Sequence, residues 1–521
     1  MSTPSDTALC AARRSTDLAA LGDGRVVDVV VIGGGITGAG IALDAASRGL
    51  SVLLVDKHDL AFGTSRWSSK LVHGGLRYLA TGNVGIARRS SVERGILMTR
   101  TAPHLVTAMP QLVPLLPSMS RGQRALVRVG FQAGDILRAL AGTKSSVLPR
   151  PRRISPAEAI AMAPTVRRDG LDGALLAYDG QLIDDARLVI GVARTAAGYG
   201  ARILTRVSAS EATGTSVRLT DELTGESMLL RARAVINATG VWAAEVDPSI
   251  KLRPSRGTHL VFDAAVFGHP TAALTIPIPG ETNRFVFAMP EQLGRVYLGL
   301  TDEEAPGPIP DEPQPTPGEV SFLLDTVNTA LQTALTTADV TGAYAGLRPL
   351  IDAGEDLRAG AKRHGDKSRT SDLSRDHAVI ESDSGLLSIV GGKLTEYRLM
   401  AEDVLNRAVA ARGLGGGPCR TRDLPLVGAV ADSAAPQRVS LPPSLVARYG
   451  AESATVFAGA RCDRPTDPVA DGIDVTRAEF EFAVTNEGAL DVGDILDRRT
   501  RIGLVAADRE RAVDAAEEFL A

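Results

Sequence analysis

Lys70, His73 and Arg77 stand three and four residues apart within SSKLVHGGLRYL, the stretch from Ser68 to Leu79. An ammonium, an imidazole and a guanidinium are the side chains of anion binding and of proton transfer near neutral pH. A surface helix would not favour the intervening Gly74-Gly75, and a core strand would not favour the charges. Two more such groups lie far downstream, His259 in RGTHLV and Arg348 in GLRPL. Lys393 and Thr395 follow a second glycine pair, Gly391-Gly392. Side chains so distant in sequence need a scaffold to bring them together.

The clearest scaffold signal runs from Arg25 to Asp56, RVVDVVVIGGGITGAGIALDAASRGLSVLLVD. It reads as strand, helix, strand, with a valine-rich first run suited to a strand buried on both faces. Gly33, Gly35 and Gly38 form G-x-G-x-x-G. The first two permit a tight turn and close approach to a pyrophosphate, and the third lets the helix pack on the strand. Asp56 closes the second strand, about 20 residues on, where an acid accepts the ribose hydroxyls and repels a 2′-phosphate. This fingerprint indicates a dinucleotide without separating FAD from NAD. Two later elements favour FAD. A strand from Ala234 to Asn237 ends in Ala238-Thr239-Gly240, where a second strand end would meet the dinucleotide. A late strand then leads through Gly391-Gly392 into an amphipathic helix. Its positive N-terminus suits the far end of a long cofactor, against the flavin edge that becomes anionic on reduction.

The 521 residues predict about three units. A hydrophobic content of 44% supports large cores. With 57 basic and 61 acidic residues the net charge is -4, which argues against nucleic-acid binding. Cys10, Cys419 and Cys462 lie far apart, fit no zinc spacing and suggest a reducing compartment; no metal is expected. Residues 1–24 read as a polar tail without a secretory core. No run approaches about 18 consecutive apolar residues, so no membrane-spanning helix is expected. The stretch 103–140 alternates apolar, proline-broken segments with Arg121, Arg124, Arg128 and Arg138. It reads equally as a peripheral membrane surface or as an ordinary cap helix with solvated arginines. Residues 303–318 hold six prolines and read as a solvated, semi-rigid loop. Residues 352–372 read as a charged surface loop.

Taken in order, GTSRWSSKLVHGGLRYL, YDGQLIDDARL, NATGVWA, RPSRGTHLV, GLRPL, SRDHAVI and VGGKLTEYR resemble the FAD-dependent glycerol-3-phosphate dehydrogenases. That family has the D-amino-acid-oxidase-like flavoprotein fold. The resemblance runs from about Val26 to the C-terminal end. It implies an α/β chain, α+β overall, with three parts. These are a Rossmann-like FAD-binding domain of the D-amino-acid-oxidase/glutathione-reductase type, a β-rich substrate or cap domain, and a C-terminal helical domain. The expected pieces are 25–100, 165–247 and 340–415 for FAD, 101–164 and 248–339 for the cap, and 420–521 for the helices.

The resemblance also distributes roles. Thr64, Ser65, Ser69, Lys70, Leu71, Val207, Ala238, Gly240, Gly391 and Gly392 would join the fingerprint residues around noncovalent FAD, with Ser69, Lys70 and Leu71 offering backbone. Arg77 would bind the substrate phosphate and Tyr78 would line the pocket; Lys393 and Thr395 would complete contacts to substrate and flavin. His73 and His259 are the candidate proton acceptors, and Arg348 would stabilise a developing alkoxide. Trp67 is bulkier than the resemblance leads one to expect. The implied reaction is oxidation of sn-glycerol 3-phosphate to dihydroxyacetone phosphate with quinone as acceptor, although no quinone motif is readable. Rival expectations are a glycerol-3-phosphate oxidase using oxygen, an amine or amino-acid oxidase, and a binding protein that kept the fold without catalysis. A cytoplasmic location, peripheral membrane attachment and a homodimer complete the expectations.

Overall fold

The computed structural model describes residues 6–22, 26–75, 83–281, 284–351, 376–429 and 441–521. Arg77, Tyr78 and the 352–372 loop therefore lie outside the described residues. Among those described, two large sheets carry the architecture.

The first sheet places Val27–Ile32 at its centre, paired in parallel with Val52–Asp56 on one side and Ser227–Asn237 on the other. Arg202–Thr205 extends one edge and Leu387–Gly391 the other, both in parallel, while His377–Glu381 is antiparallel. The central strands are apolar at nearly every position because helices cover them. The helix Ile36–Ser47 is mostly apolar and buried almost all round, with its buried Asp44 paired to Arg48. Close packing is enforced at Gly40, where a Cβ would stand 2.8 Å from the Tyr397 ring. Tyr397 opens the late helix, Tyr397–Arg412.

The second sheet is long and mainly antiparallel, from Glu303–Glu304 through Leu252–Asp263, Arg295–Gly299, Phe285–Glu291, Ala273–Pro277, Val106–Pro114 and Ala174–Leu182 to Leu71–Val72. Gly342–Ile351 pairs along the length of Leu252–Asp263, which sets Arg348 opposite Ser255. Leu71–Val72, Ala174–Leu182 and Gly342–Ile351 fall inside stretches that the sequence assigns to the flavin unit, yet they hydrogen-bond in this sheet. The chain crosses between sheets at the places where chemistry-bearing residues cluster.

The N-terminal segment departs from the polar tail expected of it. Ala11–Ala19 is helical, and Arg14 is buried, donating to the Thr205 carbonyl at 2.8 Å and pairing with Asp221. The C-terminal unit is helical, with Glu479 reaching back to the Thr476 N–H at 2.8 Å as a capping box demands. Its final helix, Ala506–Leu520, packs an apolar face on Phe480 and Ile495. No helix of the described residues is long and apolar enough to cross a membrane.

Candidate active site

One cavity of about 1270 Å³ runs from the fingerprint glycines to the second sheet. At its first end the backbone is set for a close-approaching anion. Gly33 has φ 111°, and a Cβ there would stand 2.7 Å from the Ala238 carbonyl oxygen, so only glycine lets the two strand ends meet. A Cβ on Gly38 would stand 1.8 Å from the Gly33 carbonyl, so the helix can seat against the turn only with glycine there. The first helical N–H, Ile36, donates to the Ser65 hydroxyl at 2.9 Å, tying the helix start to the 63–69 strip. Gly33, Gly35, Asp56, Val207, Ala238, Gly240, Thr64, Ser65, Ser69, Leu71, Gly391 and Gly392 all line this cavity. A helix N-terminus beside a carboxylate fits the pyrophosphate and ribose of a dinucleotide.

The Asp56 carboxylate accepts from Gly34 N–H at 2.6 Å and from His58 N–H at 2.8 Å. Burial nevertheless pushes its pKa up to about 6, those two N–H groups pulling the other way. Ribose hydroxyls donating to the ionised form would lower that value in the complex, so the bound state holds fewer protons. FAD affinity should therefore rise with pH through about 6 and level off above it. Titrating the apoprotein with FAD from about pH 5 to about pH 8 tests this. A flat profile, or one that survives Asp56→Asn, would refute the assignment of Asp56 to the ribose.

At the far end, His73, Arg348, Lys393 and Thr395 converge on the same cavity. Gly74 N–H donates to the buried Asp179 carboxylate at 3.0 Å, and Arg94 holds that carboxylate from behind at 2.6 Å. The backbone next to His73 is thereby fixed. Arg348 donates to Ser255 Oγ and Asp302 Oδ1, each at 3.1 Å, and to the Thr301 carbonyl at 3.1 Å. Lys393 Nζ donates to Ser90 Oγ at 2.6 Å and to Glu396 Oε1 at 2.8 Å. Sequence reasoning did not single out Ser90, Arg94, Asp179, Asp302 or Glu396. Asp179 and Glu396 do lie inside YDGQLIDDARL and VGGKLTEYR, the blocks that carried the resemblance.

Three residues singled out from the sequence sit elsewhere. Gly38 packs behind the turn and does not line the cavity. The Lys70 side chain turns away, 1% exposed, with Nζ 2.7 Å from Asp185 Oδ2. His259 is 0% exposed and does not line the cavity. It stacks on Tyr344 with ring centroids 4.7 Å apart, and its Nε2 shares a 3.0 Å hydrogen bond with Ser69 Oγ. Burial, then Lys70 and Arg348, hold its pKa well below the usual histidine value. The 303–318 loop is less idle than its prolines suggest, since Ile309 and Asp311 line the cavity and Glu312 pairs with Arg66 at 2.6 Å.

A dinucleotide cradle in a cavity that His73, Arg348 and Lys393 also line has the layout of a flavin-type oxidoreductase. The FAD-dependent oxidoreductase family model matches residues 28–398, and the model for the C-terminal domain of alpha-glycerophosphate oxidase matches residues 419–521. Glycerol-3-phosphate dehydrogenase 1 of Mycobacterium tuberculosis is 73% identical over 519 residues, covering 99% of each chain. Aerobic glycerol-3-phosphate dehydrogenase of Staphylococcus aureus is 36% identical over 419 residues, which is 77% of this chain and 71% of the relative. The crystal structure of the Bacillus halodurans glycerol-3-phosphate dehydrogenase complexed with FAD superposes with a TM-score of 0.71 at 26% identity, covering 98% of this chain and 94% of that one. The chain belongs to the FAD-dependent glycerol-3-phosphate dehydrogenase family, and FAD is its cofactor.

Proposed function

We propose that this chain oxidises sn-glycerol 3-phosphate to dihydroxyacetone phosphate and passes the electrons to a quinone. The observation that carries the reading is the convergence of His73, Arg348 and Lys393 on the cavity that holds the dinucleotide cradle. Bound FAD supplies the acceptor for the hydride that leaves C2. His73 takes the proton from the C2 hydroxyl, and Arg348 stabilises negative charge on that oxygen as the carbonyl forms. Arg348 is held to this orientation by Asp302 and Thr301. Lys393 and Arg77 would bind the phosphate dianion, Tyr78 would line the pocket, Thr395 would complete contacts to substrate and flavin, and noncovalent contacts would hold the cofactor. The family resemblance of this chain to named glycerol-3-phosphate dehydrogenases supports the substrate.

The quinone part of the proposal is supported by the cavity's third wall. Leu126, Val127 and Phe131 of the helix Arg121–Leu140 line it, as do Val113, Phe285 and Phe287. Val129, Ile136 and Leu140 of the same helix are 65%, 61% and 72% exposed. An apolar wall continuous with an apolar outer face suits a lipid-soluble acceptor met at the cytoplasmic face of a membrane. The remainder of 103–140 does not share this character: Val106–Pro114 is a sheet strand, and Arg138 is buried against Asp135 at 2.6 Å. The oxidase alternative stays in view because the C-terminal model is that of an alpha-glycerophosphate oxidase.

One experiment tests substrate and acceptor together. Anaerobic glycerol 3-phosphate should bleach the flavin, and a quinone analogue in anionic lipid vesicles should restore its colour much faster than air does. Absence of bleaching would refute the substrate. Faster reoxidation by air would assign the chain to the oxidases.

A further inference from the structure

We propose that Arg501, carried by the C-terminal unit, is a positioning residue of the flavin site that fixes the 63–69 strip walling the cofactor cavity. Gly63, Thr64, Ser65, Trp67, Ser68 and Ser69 face the cavity. Arg66 and Lys70 face the other way and are 0% and 1% exposed. The strip thus has a cofactor side and a charged back, and what holds the back decides where the front stands.

Two cations meet there on a single carbonyl oxygen. Arg66 O accepts from Lys70 Nζ at 2.9 Å and from Arg501 Nη2 at 2.7 Å. Arg501 also donates to Asp497 O at 2.8 Å, pairs with Asp184 Oδ2 at 3.4 Å, and lies 5.3 Å from the Trp67 ring centroid. Lys70 pairs with the neighbouring Asp185, whose carboxylate also accepts from Ser68 N–H at 2.9 Å. Buried charges persist only when paired and hydrogen-bonded. Here the Asp184-Asp185 pair balances one cation from the flavin unit and one from the C-terminal unit. Arg501 itself has φ 62°, a conformation rarely adopted by non-glycine residues, and its side chain is 1% exposed beneath the strip.

A second contact from the same segment meets the residues leading into the strip. Arg498 Nε and Arg499 Nη1 each donate to Asp59 Oδ2 at 2.6 Å, and Asp59 is 0% exposed. The C-terminal segment therefore holds the loop at Asp59 and again at the Arg66 carbonyl. The flavin-fold family model ends at residue 398, and all three arginines lie in the second model's span, 419–521. The helical unit completes the back of the cofactor site. Lysine at 501 would not reproduce the arrangement, because a point charge cannot serve Arg66 O, Asp497 O and Asp184 as a planar fork does.

The test measures FAD binding to apoprotein and the visible circular dichroism of bound flavin, neither of which depends on the substrate assignment. Arg501→Met should raise the FAD Kd about tenfold or more and change the flavin dichroism, and Arg501→Lys should recover only part of the loss. Arg448→Met is the control. Arg448 is buried within the C-terminal unit against Glu479 at 2.6 Å and does not reach the strip. That variant should unfold at lower temperature while keeping the wild-type FAD Kd. An equal rise in Kd in Arg448→Met and Arg501→Met would reduce Arg501 to general stability and overturn the proposal. Wild-type Kd and dichroism in Arg501→Met would overturn it too. If Arg501→Met does not fold, Arg501→Lys decides: a weakened Kd supports the proposal and a wild-type Kd overturns it.

Discussion

His73→Asn is expected to slow anaerobic reduction of the bound flavin by glycerol 3-phosphate about a hundred- to ten-thousand-fold while leaving FAD in place. His259→Asn should slow it far less. The sequence leaves both histidines as candidates and puts His259 first, whereas their positions in the structure favour His73. His73 lines the cavity that Arg348 and Lys393 also line, whereas His259 is buried, shares a hydrogen bond with Ser69 and does not line it. A general base must also hold the proton it receives. Burial and the nearby Lys70 and Arg348 cations disfavour protonated His259 strongly, which makes it a poor acceptor even if substrate could approach. Asn at 259 can still share a hydrogen bond with Ser69, so a modest loss in FAD affinity is the larger effect there. Stopped-flow reduction of both variants at saturating substrate decides the matter. A severe loss in His259→Asn with near-normal His73→Asn would reverse the two roles.

The features legible in the sequence are those whose partners are local. Gly33, Gly35 and Gly38 stand in one turn, and Asp56 follows on the next strand, so their joint meaning survives without coordinates. Gly391 and Gly392 each have φ 77°, which a glycine pair before a helix already suggests. At Lys70 the expectation concerned the backbone, and local reading leaves the side chain open. Its charge belongs to a motif that faces the cofactor, but its ammonium is neutralised by Asp185, 115 residues away, on the opposite side of the strip. His259 is a different case: Leu252–Asp263 pairs with strands on both sides, so a polar residue at its middle is interior, and nothing in RGTHLV announces that. The N-terminal helix is misread because Arg14, apparently a solvated charge, has its partner in Asp221. In each case the missing information is a long-range ion pair or a sheet position. These are the terms that composition and periodicity do not contain.

Lys393→Met is expected to lower kcat/KM for glycerol 3-phosphate about ten- to hundred-fold while changing that for unphosphorylated glycerol only a few-fold. The difference corresponds to the roughly 1.5–3 kcal/mol of a hydrogen bond to a charged group, which neutral glycerol never receives. The structure gives Lys393 the placement this requires: it lines the cavity, and Ser90 and Glu396 anchor its ammonium at 2.6 and 2.8 Å. Glu396 is 0% exposed, so Lys393→Met also strands a buried carboxylate. Lys393→Met with Glu396→Gln relieves that cost and should keep the same discrimination against the phosphate at a higher melting temperature. Arg77, outside the described residues, supplies the second arm of the test. Its replacement by lysine should not restore wild-type kcat/KM, because a flexible point charge lacks the planar fork that meets two phosphate oxygens. Measuring both substrates across Lys393→Met, Arg77→Ala and Arg77→Lys gives the phosphate-specific loss directly. Equal proportional losses on glycerol and its phosphate would mean that both cations serve the fold or the flavin, and the phosphate would have to be held elsewhere.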